Sequence, residues 1–283
     1  MTSILIIAHE DHDQLALHLP ALLSQQGTEY EVVVVDMNSE DQTLELLKSL
    51  EETHRHLRHL CLPLSARDIS RERLAIHLGM RSALYARVLV IGADTHVPGP
   101  QWLADVEKRW RTDSKVMLIP TLRQRTKGIA DYFNAGHEAW CSSLHRKQAQ
   151  RHRVFRAGNF LVGCDKELFL THTSPARHLA LETGTMDIFV SRMANAYNTI
   201  LLAEKELFPV RDAIRGLRRW KRKRLFDVEI CHHLQHPFRR HMSYTWHCLS
   251  TIHRGSVPYM LMDLMSHLRW CLTSRKTFTK KHY

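Results

Sequence analysis

The residues best suited to chemistry are carboxylates placed just after apolar runs. Asp36 closes the run Val32-Val-Val-Val35 and is followed by Ser39 and Asp41. Asp94 follows Val88-Leu-Val-Ile91, with His96 two residues on. Asp187 opens an apolar stretch after Gly184, and Glu182 lies just before it. Such acids can accept hydrogen bonds from hydroxyl and N–H groups, ligate a hard divalent cation, or take a proton as a general base. An imidazole such as His96 adds affinity for transition ions over Mg²⁺. Arg71 and Arg73 are candidates for holding an anion, as is the dipeptide Arg219-Trp220 within a basic run.

These positions have a common logic. Ser3–Ala8, Tyr30–Asp36, His59–Leu62 and Arg87–Ile91 read as strands, apolar enough to be covered on both faces. Helical spacing of leucines from Asp13 to Gln25, a capped helix running to about Leu50, and a helix over 69–85 fall between them. Alternating strand and helix predict a mostly parallel, Rossmann-like α/β sheet flanked by helices. Its ligand crevice then lies at the carboxyl ends of the strands. His9–Asp11, Asp36–Asp41 and Asp94–His96 all sit at such ends. Further on, helices are expected around Trp102, over 129–150 and over 186–195, with a strand at 116–119.

Charge divides the chain differently. Residues 1–210 carry 24 Lys and Arg against 25 Asp and Glu, whereas residues 211–283 carry 16 against 4. The predicted organisation is an α/β domain over 1–210 and a basic, mostly helical appendage over 211–283. A cationic excess confined to one segment implies an anionic partner there. Basic residues interleaved with Trp220, Leu225 and Phe226 suit an anionic membrane surface first, a phosphorylated substrate second and nucleic acid third. The apolar stretch 257–272 is broken by Asp263, His267 and Arg269 and is too short to span a bilayer. Six scattered cysteines without a CxxC pair point to reduced thiols, and no signal peptide is legible; a cytoplasmic protein at the inner face of a membrane is expected. The clusters His54/His56/His59 and His232/His233/His236 lack zinc-finger spacing and read as solvated helix faces.

Several elements, in order, resemble family 2 glycosyltransferases of the GT-A fold. Val32-Val-Val-Val-Asp36-Met-Asn-Ser39-Glu-Asp41-Gln-Thr43 is similar to that family's donor-site element, and Val88 to Leu103 to its strand, DxD metal loop and following Pro and Trp-Leu. Arg156-Ala-Gly158-Asn159 resembles the acceptor-side segment, Gly184-Thr-Met-Asp187-Ile-Phe-Val the element that holds the base, and Arg219-Trp220 the end of a later motif near the diphosphate. The resemblance implies inverting transfer of a sugar from a nucleotide-diphosphate donor to a glycan or lipid-linked acceptor, as in cell-envelope polysaccharide synthesis. It implies donor contacts at Asp36, Ser39, Asp41, Arg71, Arg73, Arg219 and Trp220, a Mn²⁺ or Mg²⁺ ion at Asp94 and His96, and Asp187 as base. Two departures stand out: Gly92 replaces the first acid of the DxD, and Thr185 and Met186 replace acids beside the base. A donor-binding protein that has lost catalysis is the alternative.

Overall fold

The computed structural model describes residues 1–62, 70–124, 129–174, 183–212, 217–234, 237–251 and 256–280. Strands β1 (Thr2–Ala8), β2 (Tyr30–Asp36), β3 (Leu57–Cys61) and β4 (Arg87–Gly92) alternate with helices α1 (His12–Leu23), α2 (Thr43–Thr53) and α3 (Arg71–Ser82). They form the parallel half of a seven-stranded sheet in the order β3-β2-β1-β4. The sheet then continues through β8 (Phe160–Asp165), β6 (Val116–Pro120) and β9 (Thr199–Leu201). β8 is antiparallel to both β4 and β6, so the sheet is mixed beyond β4. The segment around Gly158-Asn159 thus feeds a central strand, which its mixed polarity did not announce.

Apolar runs follow from burial on both faces. Ile4 and Ile6 of β1 pack with Val32 and Val34 beneath Leu15, Leu19 and Leu22 of α1 and Trp102 of α4 (Trp102–Arg109). The intervening Leu5, Val33 and Val35 face the opposite layer. That layer is built from α3, α6 (Lys166–His172) and α7 (Thr185–Met193), with Ile76, Phe169 and Phe189 at its centre. Ser70 caps α3 by accepting the Arg73 N–H at 3.3 Å, and Asp165 caps α6 by accepting the Leu168 N–H at 3.0 Å.

A second, three-stranded sheet lies after β4: β5 (Thr95–His96), β10 (Val210–Arg211) and β7 (Leu122–Arg123), in the order β5-β10-β7. It brings residue 211 beside residue 95 and residue 123. The rest is helical: the long α5 (Ile129–Gln150), then α8 (Leu217–His233), α9 (Pro237–Thr251) and α10 (Val257–Lys280). No helix among the described residues is long and apolar enough to cross a membrane.

Packing in the central sheet is tight at Gly163 of β8, where a Cβ would stand 2.5 Å from the Trp110 ring. A rigid indole gives way poorly. Gly163→Ala is expected to destabilise the protein by about 1–3 kcal/mol through overpacking, read as a lowered urea midpoint with unchanged m-value.

Candidate active site

The register of the parallel strands sets the frame. Ala8 is opposite Asp36, and Ile7 is opposite Gly92. Strands lie about 4.8 Å apart, so Asp36 and the turn after β4 are separated by roughly 10 Å across the sheet's carboxyl edge. Asp36 is buried; its carboxylate accepts the Ser39 N–H at 3.2 Å and the Ser39 hydroxyl at 2.5 Å. Asn38, in the left-handed region at φ 59°, lets the chain fold back to make these bonds. The Ser39 hydroxyl in turn accepts the Glu10 N–H at 2.9 Å, and Asp41 accepts the His12 and Thr43 N–H groups at 3.2 and 3.0 Å. Ser39 and Asp41 therefore tie the loop after β1 to the loop after β2. Arg71 reaches the same edge and donates to the Met37 carbonyl.

Arg73 does not join them. Its guanidinium is buried beneath α6 and α7, close to Arg192 and the end of α6, and Nη1 has no hydrogen-bond partner among the described residues. Helical periodicity separates the two arginines, because positions two apart point to different sides.

Asp94 is fully engaged. Oδ1 accepts from Arg211 Nε at 2.9 Å and lies 2.8 Å from Nη2, while Oδ2 accepts from Arg123 Nη1 at 3.1 Å. Burial alone would raise its pKa, but Arg211 and Arg123 outweigh that and hold the carboxyl below its ordinary value. His96 does not share this carboxylate: it is exposed, opposite Val210 in the small sheet, with its ring 5.9 Å from His18. The expected pair of cation ligands is therefore not assembled. A cation at Asp94 would have to displace two guanidinium groups, and position 92 offers no second acid. These residues do not fit a divalent metal.

Asp187 sits in the first turn of α7. Its Oδ1 accepts from Arg156 Nε at 2.7 Å and from the Gly158 N–H at 2.9 Å. Arg156 also donates to Asp227 of α8 at 3.0 Å. From there charges alternate: Asp227 to Lys223, Lys223 to Glu138 at 3.1 Å, Glu138 to Arg123 at 2.6 Å, and Arg123 to Asp94. The structure thus connects Asp94 and Asp187 through one run of ion pairs. Beside it opens a cavity of about 390 Å³, lined by Arg156, Asn159, Lys223, Arg224, Tyr244 and Leu264 among others. Asn159 is held there by Ser142 at 2.8 Å.

Of the later motif, the Arg219 side chain lies outside the described residues, as does Glu182. Trp220 is turned inward: only 8% exposed, it stands edge-on to His137 of α5 with ring centres 6.5 Å apart. It is thus not the membrane-inserting residue expected from the basic run, because α8 uses that face to pack on α5. The His54/His56/His59 group also differs from expectation. It is half-buried at the start of β3, with His56 against Tyr30 and His59 paired to Glu51. Among the described residues a different trio, His137, Cys141 and Asp263, has potential ligand atoms within 4.8 Å of one another. Asp263 is already taken by Arg224, by His137 at 2.8 Å and by Tyr244 at 2.9 Å, so the trio is part of the ion-pair system.

Glu72 was missed by the sequence. It accepts the Gly184 N–H at 3.1 Å at the start of α7, and burial, with Asp187 nearby, pushes its pKa up to about 7. The only local signal was an acid between two arginines in a first helical turn.

Against known proteins, the profile of glycosyl transferase family 2 matches residues 3–174, and the chain belongs to that family. Its fold is GT-A. S. aureus TarS 1–349 superposes with a TM-score of 0.57 at 17% identity, over 81% of this chain and 64% of that one. The chain therefore spans less than two thirds of that relative. The mannosyltransferase PcManGT from Pyrobaculum calidifontis, in complex with GDP-Man and Mn²⁺, gives 0.55 at 15% identity, over 99% of this chain and 83% of that one. No curated protein matches the chain.

The raised Glu72 pKa sets a pH dependence. Folding favours the protonated form, so this stabilisation is complete below the unfolded value of 4.5 and lost as pH rises through about 7. Wild type should lose roughly 3 kcal/mol across that window. Glu72→Gln should flatten the dependence, as measured by urea unfolding at several pH values.

Proposed function

We propose that the chain transfers a sugar, with inversion, from a nucleotide-diphosphate donor to a hydroxyl of a glycan or lipid-linked acceptor, of the type used to build cell-envelope polysaccharides. The observation that carries this reading is the run of ion pairs joining the donor-side edge at Asp94 to Asp187 and its cavity. In family 2, those are the positions between which a sugar passes.

The Asp36, Ser39, Asp41 and Arg71 cluster receives the base and ribose. Arg73 and Trp220, expected as further contacts, have no support from their placement, and the Arg219 side chain lies outside the described residues. In the reaction the acceptor oxygen bonds to the sugar's anomeric carbon. The bond from that carbon to the diphosphate breaks, the leaving group keeps the electron pair, and the hydroxyl proton passes to Asp187. Among the described residues both hydrogen bonds to Asp187 fall on Oδ1, which leaves Oδ2 for the proton. The Mn²⁺ of the mannosyltransferase neighbour belongs to that protein; no step here is routed through a metal. The alternative, donor binding without turnover, draws on the Arg156 contact, which already occupies one carboxylate oxygen of Asp187.

Calorimetric titration with UDP-, GDP- and dTDP-sugars tests the donor, and binding of none by folded protein overturns the proposal. Asp187→Asn should lower transfer by about 10²–10⁴-fold. Unchanged transfer would exclude Asp187, and no wild-type transfer across the donor panel would leave the binding-only alternative.

The division into 1–210 and 211–283 is kept as one of charge, the second part docking on an anionic membrane at the cytoplasmic face. Its support is α10, whose outward face is apolar: Val257, Leu261, Leu264, Met265, Leu268 and Leu272 are exposed, while Asp263 and Ser266 point inward. Trp246 and Leu249 of α9 are exposed as well. Leu261→Ser/Leu268→Ser should weaken sedimentation with phosphatidylglycerol vesicles by about tenfold or more without altering donor binding. Equal binding of wild type to neutral vesicles and to anionic ones would remove the electrostatic part.

A further inference from the structure

The disagreement between the family's metal loop and this donor set points to a different cation. Resting on the function proposed above, we infer that Arg211, held by Asp94, neutralises the donor diphosphate in place of a divalent metal ion.

The geometry at residue 92 carries the argument. A Cβ there would meet Asp94 Oδ1 at 2.6 Å and Arg211 Nη2 at 3.0 Å. The space beside residue 92 is occupied by the Asp94 carboxylate together with the Arg211 guanidinium. A Gly at 92 leaves space for the Asp94–Arg211 pair, and a larger side chain there would crowd both partners. Charge is conserved in kind, since the turn after β4 still presents a cation at the carboxyl edge of the sheet.

Backbone structure fixes that cation. Arg211 is paired with Thr95 across the small sheet, and the Asp212 N–H donates to the Asp94 carbonyl at 3.0 Å. The two partners are therefore locked in register before their side chains meet. The two arginines around Asp94 are not equivalent. Arg123 is 10% exposed and donates through Nε to Glu138 and through Nη1 to Asp94 and the Asp212 carbonyl, turned inward. Arg211 is 26% exposed and grips Asp94 through Nε and Nη2, which among the described residues leaves Nη1 for a ligand. A planar fork of this kind suits phosphate oxygens. Arg211 is thus the binding residue, while Asp94 and Arg123 position it. The diphosphate that departs with the bonding electron pair gains charge, and a fixed guanidinium meets that charge without reorganisation.

The test is calorimetric titration of the full chain with UDP, GDP and dTDP, in EDTA and in MnCl₂. Binding should be equal within about twofold in the two conditions. Arg211→Gln should weaken it by about ten- to a hundredfold in EDTA, the worth of a hydrogen bond to a charged group. Arg211→Lys, which keeps charge but not the fork, should recover part of that loss. Circular dichroism checks that each variant is folded, and the wild-type comparison stands without either variant. Tightening by Mn²⁺ of about tenfold or more would overturn the inference and leave the transferase reading intact. So would an Arg211→Gln variant that binds as well as wild type. No binding of UDP, GDP or dTDP in either condition would overturn both.

Discussion

Buried charge has to be paired, and in this protein the pairing runs across the whole functional region. Asp94, Arg123, Glu138, Lys223, Asp227, Arg156 and Asp187 alternate in sign from the turn after β4 to the first turn of α7. Most are shielded from water, where a charge stripped of its partner is costly. Lys223, Arg156 and Arg224 hold Asp227 far below the usual carboxylate range against the burial that would raise it. Each position is therefore constrained by its neighbours along the run. The donor edge and the Asp187 cavity are held at a set separation by electrostatics as well as by packing.

This arrangement gives the basic segment two separate uses. Lys223 and Arg224 of α8 balance acids contributed by α5 and α10, so part of the cationic excess is spent inside the protein. Arg211 is held by Asp94 after β4. On α10 the apolar residues look outward and Asp263 looks inward to His137, Arg224 and Tyr244. An amphipathic helix in that orientation follows from the charged interior it covers: the polar face is needed within, and the apolar face is left exposed.

Much of the fold was legible. Valine and isoleucine runs ending in acids mark parallel strands buried on both faces, and β1, β2 and β4 lie where those runs fall. The helix over Ile129–Gln150 and the one carrying Asp187 follow from periodicity. Asp36, Ser39 and Asp41 were legible as a group because they are near in sequence and act through local turns. β8, β9 and the small sheet were not, since antiparallel insertions and two-residue strands have too few residues to show a period.

By itself, the sequence determined the parallel core, the acids at its carboxyl edge and the loss of an acid at position 92. Only the tertiary structure decided what those acids touch. Arg211 and Asp94 are far apart along the chain, as are Arg156 and Asp227, and Glu72 and Gly184. Their meeting depends on a strand pairing and on helix docking that no local pattern encodes. For that reason Asp94, legible as a metal ligand from its neighbours in sequence, became in three dimensions the anchor of an arginine.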